Sequence, residues 1–136
     1  MFSKAVVRTP GKSLINGLTD SKHLGVPNYS QAIIQHQAYV EALQFCGLEV
    51  TVLEPCEGYP DSTFVEDVAL ITPNCVIMTR PGAESRRGEV EQMMTVLKSQ
   101  FKNLETIEAP GTIEAGDIMM VGDHFYIGLS DRTNIQ

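Results

Sequence analysis

Glu66 and Asp67 stand side by side inside an otherwise apolar run, Phe64-Val65-Glu66-Asp67-Val68-Ala69-Leu70, that reads as a buried strand. An ionised carboxylate removed from water is costly unless a cation or hydrogen-bond donor meets it. Asp61 lies just upstream, so several acceptor oxygens gather near one strand entrance. A hard metal ion, a cationic organic group or the chain's own arginines could answer them. The Asp-rich loop with a glycine at its sharp turn that calcium sites use is missing, so no metal is expected. A guanidinium suits the acids better, because carboxylates can grip its flat fork of donors on both edges. Arg86 and Arg132 could hold the other end of such a ligand if it carries a carboxylate. They could equally pair with Asp67 and Asp117 inside the fold, and spacing alone leaves both arrangements open.

The elements that must position these residues recur. About 50 residues after the first acidic run comes Ile113-Glu114-Ala115-Gly116-Asp117-Ile118-Met119-Met120, again acids at the mouth of an apolar strand. Each copy continues with a second short apolar run, Cys75 to Met78 and His124 to Ile127, and then a Ser with Arg close behind, Ser85-Arg86 and Ser130-Asp131-Arg132. A period of this length is typical of repeated supersecondary units such as propeller blades. Val7 to Gly11 set against Met78 to Gly82 hints at an earlier copy.

In chain order, residues 5 to 8 read as a strand, followed by a loop to Asn28. Ala32, His36, Tyr39, Leu43 and Cys46 recur at helical spacing, with Ser30 as N-cap and Gly47 as stop. His36 on that stripe reads as a satisfied, partly buried side chain rather than a catalyst. A strand over Leu48 to Val52 follows. After Pro81-Gly82, Val90, Met93, Met94, Leu97 and Phe101 form the core face of a second helix, and Gly122-Asp123 is a hairpin turn of type II′. Ser130 to Asn134 looks like the cap of a further helix. An array interrupted there leaves apolar faces open, so self-association or a missing C-terminal half is expected.

The 136 residues, 43% apolar, predict one mixed α/β domain with no linker or second domain. A net charge of −7 disfavours nucleic acid and anionic membranes as partners and accords with a cationic small molecule. No signal-peptide core or membrane-length apolar run is present, so a cytoplasmic location is the default. Cys46, Cys56 and Cys75 are an odd number without metal-ligand spacing, which argues against a disulfide framework.

Pro60-Asp61-Ser62-Thr63-Phe64-Val65-Glu66-Asp67, then Thr79 to Arg87, then Glu114-Ala115-Gly116-Asp117 and Ser130 to Asn134, closely resemble the dimethylarginine dimethylaminohydrolases, above all the bacterial forms. The resemblance spans essentially all 136 residues. It implies a pentein-like, five-fold pseudo-symmetric α/β propeller, here incomplete with roughly two to three of five repeat units. In that family a cysteine thiolate attacks the guanidinium carbon of an Nω-methylated arginine, methylamine or dimethylamine leaves, and water releases citrulline; no cofactor takes part. By match, Glu114 is the acid that orients the catalytic histidine. Asp61, Glu66 and Asp67 hold the guanidinium, Arg86 and Arg132 hold the amino-acid end, and Leu18 belongs to the loop covering the site.

The family's histidine and cysteine have no counterpart here, since His23, His36, His124, Cys46, Cys56 and Cys75 do not match them. The expectation is an N-terminal half that is inactive alone. A non-catalytic guanidinium-binding or self-associating protein is the alternative, as is a relative of the arginine deiminase or amidinotransferase type.

Overall fold

The computed structural model describes residues 2–136, which divide into two compact units, Met1–Phe64 and Val65–Gln136. In the first, β1 (Lys4–Arg8) runs parallel to β2 (Glu49–Leu53), with Lys4 opposite Glu49 and Arg8 opposite Leu53. A parallel pair needs a crossover, and α1 (Tyr29–Phe45) supplies it. Val7 and Val40 are buried in this unit.

The helix starts two residues earlier than its expected cap implies. Asn28, not Ser30, is the N-cap: it is extended and its side chain accepts from the Gln31 amide at 3.0 Å. Asn caps as well as Ser does, and it comes first. Gly47, in the left-handed region at φ 85°, ends the helix as expected. The inner stripe differs by one position: Val40 is buried while Tyr39 is 56% exposed and Cys46 is exposed. Ala32, Ile33, His36, Val40 and Leu43 define that stripe, and 3.6-residue periodicity carries Tyr39 and Cys46 round to its flank.

The second unit holds an antiparallel hairpin of β3 (Ala69–Ile71) and β4 (Val76–Met78). The helix α2 (Arg87–Lys98) then leads to β5 (Leu104–Thr106), which pairs with β4 in parallel. Val68, Val76, Met78, Val90, Met93 and Leu97 form its core, so the α2 methionine at position 93 packs as its spacing implied, with Met94 half-buried beside it. A second hairpin, β6 (Ile118–Val121) and β7 (His124–Ile127), turns at Gly122, whose φ of 60° suits the first turn position of a tight hairpin.

The acidic runs are not strands where the acids sit. Val65–Val68 and Ala115–Asp117 are 3₁₀ turns, and the strands begin only after them, at Ala69 and Ile118. In an extended strand adjacent side chains point to opposite faces, which would send one carboxylate into the core. A tight turn keeps both acids at the strand mouth while Val68, 2% exposed, fills the interior. A 3₁₀ turn followed by an antiparallel hairpin thus occurs twice in this unit. A strand, a helix and a parallel strand occur in both units, as β1-α1-β2 and β4-α2-β5. Residues 130–136 form no helix. Ser130 nonetheless makes the bonds of an N-cap: its Oγ accepts from the amides of Arg132 at 3.0 Å and Thr133 at 3.2 Å.

Candidate active site

In the second unit the two acidic turns meet around one guanidinium. Arg86 closes the short turn Glu84–Arg86 that leads into α2 and is only 6% exposed. Its Nη1 lies 2.6 Å from Asp67 Oδ2, its Nη2 donates to Glu89 Oε2 at 2.8 Å, and its Nε reaches both Glu89 oxygens at 3.2 Å. Glu114 Oε2 stands 3.8 Å from Nη1. Burial works against the charge of Arg86, but the bonds from Glu89 and then Asp67 outweigh it and hold the group above its ordinary value. The turns can come this close because Gly116 has no side chain. A Cβ there would sit 2.5 Å from Asp67 Oδ1.

Arg132 approaches from the other side, its Nε 3.4 Å from Glu114 Oε2 and its Nη2 3.1 Å from Asp117 Oδ1. Its side chain is 58% exposed. Asp117 also accepts from the hydroxyls of Ser130 and Thr133, both at 2.7 Å. Burial alone would raise its pKa, but the bonds from Thr133, Ser130 and Arg132 keep it below the usual carboxylate value.

Glu114 is 2% exposed, and its amide donates to Thr133 Oγ1 at 3.1 Å. Burial pushes its carboxyl above the usual range, the charge of Arg86 opposes that, and Asp67 adds to it. Its Oε1 is buried with no hydrogen-bond partner among the described residues. Counting Asp67, Glu89, Glu114 and Asp117 against Arg86 and Arg132, negative charge is in excess in this cluster.

The structure therefore brings together Asp67, Arg86, Glu114 and Arg132, and pairs both arginines internally, with Asp67 and Asp117. Glu66 is exposed and outside the cluster. In the first unit, Asp61 is 7% exposed and accepts the Leu18 amide on both oxygens, at 3.0 and 3.2 Å. Three partners escaped the sequence reading: Glu89, Ser130 and Thr133. Glu89 follows Arg86 by three residues at a helix start, a spacing that places an ion pair on one helix face. The hydroxyls carry no comparable signal.

Comparison with known proteins now bears on this geometry. The family model described as N,N dimethylarginine dimethylhydrolase, eukaryotic, matches residues 21–136. The chain is 58% identical over its whole length to an N(G),N(G)-dimethylarginine dimethylaminohydrolase of Pseudomonas aeruginosa, covering 54% of that protein. It is 37% identical to the protein of the same name from Streptomyces coelicolor, covering 51% of it. It superposes with a TM-score of 0.97 and 57% identity on a Pseudomonas aeruginosa enzyme variant complexed with citrulline, over 99% of this chain and 53% of that one. The N-terminal domain of ArgZ, an arginine dihydrolase from cyanobacteria, has a TM-score of 0.87 at 17% identity, a likeness of fold alone. The chain spans about half the length of the curated relatives it matches. With this match over residues 21–136 and these identities across its length, the chain belongs to the dimethylarginine dimethylaminohydrolase family.

Proposed function

We propose that these residues supply the guanidinium-holding and proton-relay part of a hydrolase that converts Nω-methylated arginines to citrulline and methylamine or dimethylamine. The observation that carries this reading is Glu114: a buried carboxylate with one unpartnered oxygen, in a cluster with negative charge to spare. Such an oxygen is placed to accept an N–H, and an imidazole oriented by it would be a stronger base. In the second unit, Asp67 and Glu66 are assigned to the guanidinium and Arg132 to the ligand carboxylate. Arg86, enclosed by Asp67 and Glu89, would reach that carboxylate only by giving up one of them, so it takes the lesser share. In the first unit, Asp61 is assigned to the guanidinium and Leu18 to the covering loop. Keeping the guanidinium charged keeps its carbon electrophilic towards a thiolate.

The nucleophile and the proton-carrying histidine lie outside these residues. Cys75 supports that assignment in its unit: its Sγ rests 3.6 Å from Thr72 Oγ1, and the residue lines a mainly apolar cavity of about 730 Å³ to which Asp67, Glu89, Glu114 and Asp117 do not contribute. The same reading makes the chain part of one pentein-like α/β propeller domain holding two to three repeat units, supported by the doubled turn-and-hairpin pattern. The ligand is a small molecule, and the protein is assigned to the cytoplasm.

The test pairs binding with turnover. The purified 136-residue chain should bind Nω-methylarginine by calorimetry, lose that binding in D67N, and release no citrulline from dimethylarginine until the second half of the Pseudomonas aeruginosa relative is added. Citrulline formation by the chain alone would overturn the placing of the nucleophile. Absence of binding would overturn the ligand class. A chain that binds but gains no activity in the mixture would be a binding protein only.

A further inference from the structure

We propose that Glu57 is a positioning residue whose carboxylate latches the turn Lys12–Asn16 and so sets where the Leu18 backbone meets Asp61. The 3₁₀ turn follows Gly11, which is extended and has no side chain with which to cap it. Its first amides are met instead by a residue more than forty positions away: the Lys12 N–H donates to Glu57 Oε1 and the Ser13 N–H to Glu57 Oε2, both at 2.8 Å. At the far end the Leu18 N–H donates to Asp61, so two carboxylates from one short segment grip the loop at both ends.

Each grip is matched by a glycine. A Cβ on Gly11 would lie 3.0 to 3.2 Å from the Glu57 carboxylate, and one on Gly17 would lie 2.6 Å from Asp61 Oδ1. The segment bearing the carboxylates is itself wound into turns: the Tyr59 amide donates to the Cys56 carbonyl, that of Ser62 to Tyr59, and that of Phe64 to Asp61. Glu57 is exposed, so no demand of packing places it there. The groups facing it are the amides of Lys12 and Ser13, the Ser13 hydroxyl and the Lys12 charge. Of these the Lys12 amide does most to keep its carboxyl below the usual range. A covering loop works only if it opens and closes, and a latch accepting two amides at one end sets that balance.

The part of the inference that concerns ligand rests on the function proposed above; the latch itself does not. Amide exchange in the purified chain separates them. E57A should lower the protection of the Lys12 and Ser13 amides by about tenfold or more, and that of Leu18 by less. E57Q, which keeps one acceptor oxygen, should fall between. G11A should act like E57A with Glu57 intact. Wild-type protection should be full above the ordinary glutamate value and fall as pH drops through the lowered one, with no such step in E57A. Equal protection in E57A and wild type, or no pH step, would overturn the latch.

Calorimetry with Nω-methylarginine reads the positioning role: E57A should weaken binding by about threefold to tenfold while the chain stays folded, with a lowered Tm. Changed exchange with unchanged affinity would overturn that role. If wild type binds no methylarginine while its amides still respond to E57A, the latch stands and the ligand reading fails.

Discussion

Glu114 and Asp117 show how three residues of separation reverse an acid's electrostatics. Both are largely withdrawn from water, but Asp117 collects two hydroxyls and an arginine while Glu114 keeps an oxygen without a donor. Their pKa values consequently move in opposite directions. The folded state holds the Glu114 proton more tightly than the unfolded chain does, so this group's contribution falls as pH rises above 4.5 towards the raised value. Asp117 contributes in the opposite sense: its stabilisation is complete above 3.8 and is lost as pH falls through its lowered value. Urea unfolding across pH should therefore show E114Q losing the decline above 4.5 while keeping the loss in acid. Parallel curves for E114Q and wild type would mean that the burial of Glu114 carries no such cost. Glu89 belongs to the same balance, because a guanidinium as enclosed as Arg86 needs its second carboxylate to offset the loss of water.

Among the elements, the paired 3₁₀ turns do the positioning. Val65–Val68 presents Asp67 and Ala115–Asp117 presents Asp117, and each hands the chain directly to a hairpin strand. The contact between them depends on residue 116 being the smallest possible. G116A should force Asp67 away and lengthen its 2.6 Å link to Arg86. The expected cost is about 1–3 kcal/mol in urea unfolding. In a D67A background the same substitution should cost markedly less, since nothing then meets the new methyl. Equal costs in the two backgrounds would place the strain elsewhere. Within the second unit, α2 secures the geometry by burying Val90, Met93 and Leu97, while Glu89 on its first turn pairs with Arg86 in the ion cluster.

For the whole molecule, the β6–β7 hairpin carries the open question. Met119, Val121, Tyr126, Ile127 and Leu129 are each more than half exposed, an unusual density of apolar side chains. Seventeen acidic against ten basic residues give general solubility but do not cover such a surface. Among the described residues no helix is long and apolar enough to cross a membrane. The purified chain should accordingly associate with rising concentration in size-exclusion chromatography with light scattering. M119S combined with I127S should shift it towards the monomer. A wild-type monomer at all concentrations would show that these side chains need no cover.

Periodicity and local chemistry were enough to read both helices, most strand positions, the Gly122 hairpin and the recurrence of the acidic runs, because these depend on neighbours a few residues away. The family likeness was legible too, since it rests on long runs such as Pro60 to Asp67. The 3₁₀ form of the acidic runs was not, because apolar neighbours there satisfy strand and turn patterns alike and only the placement of Val68 decides between them. Nor could spacing say whether Arg86 and Arg132 were free. Tertiary packing paired them with Asp67, Glu89 and Asp117, drew Thr133 under Glu114 and brought Glu57 onto the Lys12 and Ser13 amides. Apart from Arg86 with Glu89, each of those contacts joins residues at least fifteen positions apart. A charge's partner across such a distance is chosen by the fold that closes the loop, not by the local pattern of side chains.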